Sequence, residues 1–347
     1  MPPLLIALLA STALGASPAE RCSPMPPPPT ISAEARAILS APDGRAFLPA
    51  APTTPESWRT LQAEYEAAGA AYVAEALKTH PADIVREVLG SASVLTVVPE
   101  GVSAQTGPVV LNLHGGGYAL NGGMASLYTA IPLADALGVP VVSVDYRMPP
   151  DHPFPAAVED AVAAYRALLE TRAPEQIAIY GLSAGGGLAA ATTLAIREAG
   201  LPLPSGVAMN SPWADLAEVG DSGITLLCQD PVLPGTDGVI EALAAFYAGE
   251  ASLDDPLVSP VHGDYAEGFP PALLVTGTRD IMLSNTVRLH QAMRQAGADA
   301  DLLVFEGMWH AFWGVPEADD AFSAITAFLR ERLALTADTA ITEASHD

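Results

Sequence analysis

Gln176-Ile177-Ala178-Ile179-Tyr180-Gly181-Leu182-Ser183-Ala184-Gly185-Gly186-Gly187 is the stretch from which the fold of this chain follows. The apolar run 176–180 reads as a buried strand. The small residues from Gly186 onward read as a helix. Between them stands Gly-x-Ser-x-Gly, a sharp strand-to-helix turn that lifts a serine hydroxyl above the edge of a sheet. Its glycines stand where side chains would collide. Gly-x-Ser-x-Gly alone is a modest signal, because both residues are common. Its setting between strand and helix makes it a nucleophile motif.

A second strand pattern, Val109-Val110-Leu111-Asn112-Leu113, runs into His114-Gly115-Gly116-Gly117-Tyr118. Successive glycines leave backbone N–H groups uncovered, and acyl transfer needs such donors where the carbonyl oxygen becomes negative. The plain alternative is a flexible glycine turn. A phosphate loop is disfavoured, since no Gly-Lys-Ser/Thr follows and the chain's single lysine, Lys78, is far away. Farther on, Ala272-Leu273-Leu274-Val275-Thr276 reads as a strand that leads to Asp280. Leu302-Leu303-Val304-Phe305 reads as another, leading to His310. Serine, then an acid, then a histidine, the last two in loops after strands, is the chain order of one type of serine-hydrolase triad. The histidine would take the serine proton, and the aspartate would fix its tautomer. Glu306 and Asp301 are rivals for the acid. His80, His152, His262, His290 and His346 read as structural or surface residues.

Taken together, these segments resemble the hormone-sensitive-lipase-like branch of the α/β-hydrolases, bacterial esterases with a His-Gly-Gly-Gly motif. The resemblance spans roughly residues 90–335. It also rests on Asp145-Tyr146-Arg147-Met148-Pro149-Pro150-Asp151-His152-Pro153-Phe154-Pro155-Ala156-Ala157, on Ser211-Pro212-Trp213-Ala214-Asp215-Leu216 and on Asp255-Pro256-Leu257-Val258-Ser259-Pro260. It implies an α/β fold with a mostly parallel central sheet, helices on both faces and a small helical cap. Carried onto this chain, it implies Ser183 as nucleophile, Asp280 as acid and His310 as base. Gly116, Gly117 and Ala184 would supply oxyanion N–H groups. Gly115 would shape the turn, and His114 would orient the loop without acting as a base. Two departures stand out. Leu182 replaces an acidic residue frequent in the family's elbow, and Ala311-Phe312 follows the histidine where Gly-Phe is common. The stretch Thr276 to Thr286 is closest to a subgroup that includes lactone-hydrolase-like esterases.

With 347 residues, the chain is long enough for one large α/β domain and a cap. Helical spacing is expected over 128–137, 156–169, 186–198, 285–296 and 318–333. The organisation expected is a signal segment at 1–23, N-terminal cap helices within 24–80, a catalytic domain at 81–335 with a cap insertion about 216–254, and a flexible tail at 336–347. The apolar run 3–16 resembles a secretory signal, although it lacks early Lys or Arg. It is shorter than the roughly twenty residues of a membrane span. Export to the periplasm or medium is expected, with a cytoplasmic location if the segment is no signal. Residues 24–29 read as an extended Pro-rich linker, followed by helical spacing at 31–39 and 58–77.

A formal net charge of −25 opposes nucleic-acid binding and favours solubility. No metal-ligand spacing or dinucleotide fingerprint occurs, so no cofactor or metal is expected. Arg147 and Arg279 are expected near strand ends, in salt bridges. Cys22 and Cys228 do not make a disulfide scaffold, and a bridge between them and two free thiols both remain open. The expected function is hydrolysis of short to medium acyl esters through an acyl-enzyme. A lactone hydrolase, a non-catalytic binding protein on the same fold and a serine peptidase are the alternatives. The partner is a small ester, with a homodimer through an edge strand as a further option.

Overall fold

The computed structural model describes residues 25–41, 51–218, 220–235 and 238–335. The signal segment, Cys22 and the tail at 336–347 lie outside the described residues. Eight strands form one sheet in the order β1-β2-β4-β3-β5-β6-β7-β8. They are β1 Ala82–Leu89, β2 Ala92–Pro99, β3 Val109–Leu113, β4 Val141–Val144, β5 Ile177–Leu182, β6 Gly206–Asn210, β7 Ala272–Gly277 and β8 Ala300–Phe305. Strand β2 runs antiparallel to β1 and β4, and all other neighbours are parallel.

Burial follows from this pairing. Every residue of β3, β5 and β7 is buried, as expected for parallel strands covered on both faces. Each buried Val, Leu or Ile there contributes about 1.5–3 kcal/mol. By contrast, β1 exposes Val85 and Val88 at the sheet's edge. Helices α3 (Leu127–Leu137) and α9 (Pro316–Arg332) cover one face. Helices α4 (Ala156–Leu168), α5 (Ala184–Glu198) and α8 (Leu283–Gln295) cover the other.

Among the described residues, two helices precede the sheet. Helix α1 (Ala33–Ser40) is capped by Ser32, whose hydroxyl accepts from Ala35 N–H. Ser32 also donates its own N–H and hydroxyl to Glu317 at the start of α9. Helix α2 (Pro55–Ala76) starts at a Thr54/Ser57 capping box with Pro55 in the first turn, where its missing N–H costs nothing. The segment between β6 and β7 carries two more helices, α6 (Ser222–Thr225) and α7 (Val239–Ala248). Trp58 of α2 stacks on Phe246 of α7 at 4.5 Å. These two helices, distant in sequence, therefore meet. Among the described residues, no helix is long and apolar enough to cross a membrane.

The site is positioned by one topological fact. After β3 the chain crosses to β4 on one side, then returns to β5 on the other. Crevices at the carboxyl ends of a parallel sheet open where the order reverses in this way. Leu113 pairs with Gly181, so the last residue of β3 lies beside the end of β5. The Gly-rich loop and the serine turn thus emerge together.

Candidate active site

Ser183 has φ +58° and ψ −123°, a strained backbone for a residue with a Cβ. The surroundings hold it there. Its N–H donates to Asn210 O at 2.8 Å, and its carbonyl accepts from Gly186, Gly187 and Trp213 N–H. A Cβ on Gly181 would come within 2.1 Å of Gly185 O, and one on Gly185 within 2.0 Å of Leu113 O. Only glycine fits at either position, which is the physical content of the Gly-x-Ser-x-Gly pattern.

His310 lies in the loop after β8, with Nε2 2.7 Å from Ser183 Oγ. Its Nδ1 is 3.0 Å from Oδ1 of Asp280, which lies in the loop after β7. Asp280 is fully buried, and its carboxylate also accepts from Thr276 Oγ1 at 2.9 Å and Met282 N–H at 2.8 Å. Burial works against charge on both partners. On Asp280 it is outweighed by the adjacent imidazole and the hydrogen bonds, which hold the carboxyl below its ordinary range. On His310 it is outweighed by the charge and hydrogen bond of Asp280, with a smaller contribution from the Asp230 charge, and the ring is pushed above 6.5.

On the other side of Ser183, Gly116 (φ +118°) and Gly117 (φ +61°) turn the loop after β3. The N–H groups of Gly116, Gly117 and Ala184 have no protein partner among the described residues. A Cβ on Gly115 would lie 3.3 Å from Ser183 Cβ, so this loop runs against the serine. His114 is buried and stacks on Tyr146 with ring centroids 4.0 Å apart. Burial lowers its pKa to about 4, which keeps the ring neutral. Tyr146 donates its hydroxyl to the His114 carbonyl at 2.8 Å and fixes the root of the loop.

A family model described as alpha/beta hydrolase fold matches residues 110–314. An acetyl-hydrolase of Streptomyces hygroscopicus is 38% identical over 284 residues, 79% of this chain and 92% of the relative. An ethyl acetate hydrolase of Pseudomonas putida is 31% identical over 255 residues, 68% of this chain and 76% of the relative. Among solved structures, an esterase called E25 superposes with TM-score 0.81 at 35% identity, covering 89% of this chain and 97% of E25. An esterase from the bacterial hormone-sensitive lipase family gives TM-score 0.74 at 32% identity, covering 87% and 99%. This chain belongs to the α/β-hydrolases, in their hormone-sensitive-lipase-like branch.

In this α/β-hydrolase, a cavity of about 640 Å³ opens over Ser183. Its walls come from the Gly-rich loop, from Ile240 and Leu243 of α7, from Tyr72 of α2, and from Pro132 and Phe322 of the helices on one face of the sheet. Leu182, the apolar substitute in the elbow, is part of the same wall. No group of three or more His, Cys, Asp or Glu among the described residues could hold a metal ion.

Other candidates lie elsewhere. Glu306 and Asp301 are exposed, and the carboxylate on His310 Nδ1 is that of Asp280. His80 pairs with Asp135, His290 contacts Ala300 O, and His262 faces Asp215 and Asp254; His346 is outside the described residues. Arg147 pairs with Asp160 and Glu159. For Arg279 the salt-bridge expectation fails. Its buried guanidinium donates to the carbonyls of Met25 and Pro26 in the N-terminal linker, and burial lowers its pKa. Those carbonyls occupy the place a carboxylate would take. Cys228 is disulfide-bonded.

Sequence reading missed Asp230, a buried carboxylate beside His310. The dipeptide Asp230-Pro231 signals a local turn. Nothing in it signals contact with residues 51 and 80 positions away.

Proposed function

We propose that the protein cleaves short to medium acyl esters through an acyl-enzyme on Ser183. Membership of the esterase branch makes the chain a carboxylic-ester hydrolase. The proposal adds the route and the size of the acyl group. The observation that carries it is the continuous alignment of Ser183 Oγ, His310 and Asp280 at 2.7 and 3.0 Å. A binding protein that had abandoned chemistry would have no need to keep that line.

In the proposed cycle, Ser183 Oγ attacks the ester carbonyl while His310 Nε2 takes its proton. The carbonyl oxygen becomes an oxyanion between the N–H groups of Gly116, Gly117 and Ala184. Ala184 opens α5, so the positive end of that helix adds to the stabilisation. His310 then gives its proton to the departing alcohol. Water, deprotonated by His310, attacks the acyl group and frees Ser183. Asp280 holds the Nδ1 proton in place and stabilises the imidazolium at each turn of the cycle.

The acyl group lies in the cavity. A volume of about 640 Å³ is mid-range for small-molecule pockets. Leu243 limits the space beside the oxyanion loop, since a Cβ on Gly117 would stand 2.7 Å from it. Helices α2 and α7, joined by Trp58 and Phe246, act in this reading as the cap that excludes water. The names of the acetyl-hydrolase and ethyl acetate hydrolase relatives support small acyl groups.

The test is hydrolysis of p-nitrophenyl esters from acetyl to palmitoyl by the wild type and by Ser183→Ala. The expected result is turnover strongest on the shorter esters and lost by about 10⁴-fold or more in the variant. Turnover of the variant equal to that of the wild type would overturn the proposal.

A further inference from the structure

Among the described residues, the segment between β6 and β7 contains two buried aspartates built alike. Asp215 accepts from the N–H groups of Ala217 and Glu218 through one oxygen, both at 3.0 Å. Asp230 accepts from Val232 N–H at 2.8 Å and Leu233 N–H at 3.0 Å, also through one oxygen. Each carboxylate thereby closes a turn of its own chain. Their second oxygens differ. That of Asp215 pairs with Arg288 at 2.7 Å. That of Asp230 accepts from the N–H of His310 at 2.9 Å and of Ile281 at 3.2 Å.

We propose that Asp230 is a positioning residue that locks the loop carrying His310 to the loop carrying Asp280. The inference rests on the reading of Ser183, Asp280 and His310 as the triad. Among the described residues, the side chains are joined directly by the imidazole–Asp280 hydrogen bond, and the loops are joined nearer their roots by Arg279 N–H to Met308 O and Gly307 N–H to Thr278 Oγ1, each 2.8 Å. The Asp230 carboxylate ties their backbones as well. One oxygen binds residue 310 and the neighbour of residue 280, while the other roots the carboxylate in its own turn. With 1% exposure it has no water to exchange these bonds with. Displacements of about 1 Å at a reacting group cost on the order of a hundredfold in rate, so a clamp on the base acts on kcat.

A second consequence distinguishes the clamp from mere support of the fold. Among the described residues, the charged groups facing Asp230 are Asp280 and His310; burial and then the Asp280 charge push its carboxyl up to about 6, so it is still mostly ionised where His310 titrates, above 6.5. Its carboxylate lies at the imidazole's backbone and helps raise the ring's proton affinity. Removing that charge lowers the affinity, so neutral His310 persists to lower pH and the acid limb of kcat/KM moves down.

The experiment compares Asp230→Asn, Asp230→Ser and Asp215→Asn with the wild type on p-nitrophenyl acetate, with melting curves for each. Asn is nearly isosteric but turns one oxygen into a donor. Ser keeps a single acceptor for its own turn and drops the bridge, so it serves if the Asn variant does not fold. Both Asp230 variants should lose roughly ten- to a hundredfold in kcat with KM within about threefold. Their acid limbs should shift down by roughly half to one pH unit. Asp215→Asn should lower the melting temperature and leave kcat and the limb in place. Unchanged kcat and limb in the folded Asp230 variants would overturn the proposal, and so would equal losses in Asp215→Asn. The His310 ring is titrated in parallel by NMR without substrate. Should the wild type hydrolyse no ester, the function reading falls, while an Asp230-dependent ring shift still supports the clamp and its absence still overturns it.

Discussion

The two sides of Ser183 are held by different physics. On the elbow side, the geometry is steric and local. Positions 181 and 185 admit no Cβ, the first because of Gly185 O and the second because of the end of β3. On the acid–base side, it is polar and assembled at long range. His310 reaches Ser183 across 127 positions and Asp280 across 30. The comparison teaches that a steric constraint selects one residue type, whereas a hydrogen-bonded constraint selects types that recur throughout the chain. This chain has 7 histidines and 40 acidic residues from which two must be chosen.

The difference is open to attack by substitution, and the largest effect is expected on the polar side. Asp280→Asn keeps the shape of the side chain but no longer dictates the imidazole tautomer. It should lower kcat by about 10⁴-fold, some 5 kcal/mol of transition-state stabilisation, with a near-normal melting temperature. Steady-state kinetics and a melting curve on one preparation check this. On the steric side the signature inverts. Gly185→Ala drives a methyl group to 2.0 Å from a backbone carbonyl in the middle of the sheet. It should cost about 3 kcal/mol or more in stability, read by urea unfolding. If the alanine variant folds normally and loses only rate, the division drawn here is wrong.

The smallest effect is on pH. With neutral His310 as the proposed base, the relevant pKa is the folded one, raised above 6.5. Protonation therefore removes activity as pH falls through a value above 6.5, about tenfold per unit beyond it. The acid limb of kcat/KM should be centred higher than for a free imidazole. A limb at or below 6.5 would mean that burial outweighs the Asp280 and Asp230 charges.

The same division explains what could be read from the sequence. Ser183, the glycines around it and the loop from His114 to Gly117 were legible because sterics fixed residue types at adjacent positions. Helices at 156–168 and 184–198 were legible from their spacing, as were strands β3, β5, β7 and β8. The β1–β2 hairpin, β4 and β6 were not singled out. Strand β4 is only four residues long and β6 begins with glycine, a poor strand former, so each offers a weak signal. Asp280 and His310 could be ranked only by order along the chain and by family likeness. Asp230 was invisible, because its role depends on three loops meeting in space. The partner of Arg279 was misread for the same reason, being a pair of backbone carbonyls 253 and 254 positions away.

The most direct measurement is to mix the protein with p-nitrophenyl acetate, quench with acid during turnover, and map the digest by mass spectrometry. The account predicts an acetyl group on the peptide containing Ser183, absent from the Ser183→Ala variant. Turnover with no acyl group on the protein, or with the acyl group on another residue, would contradict it.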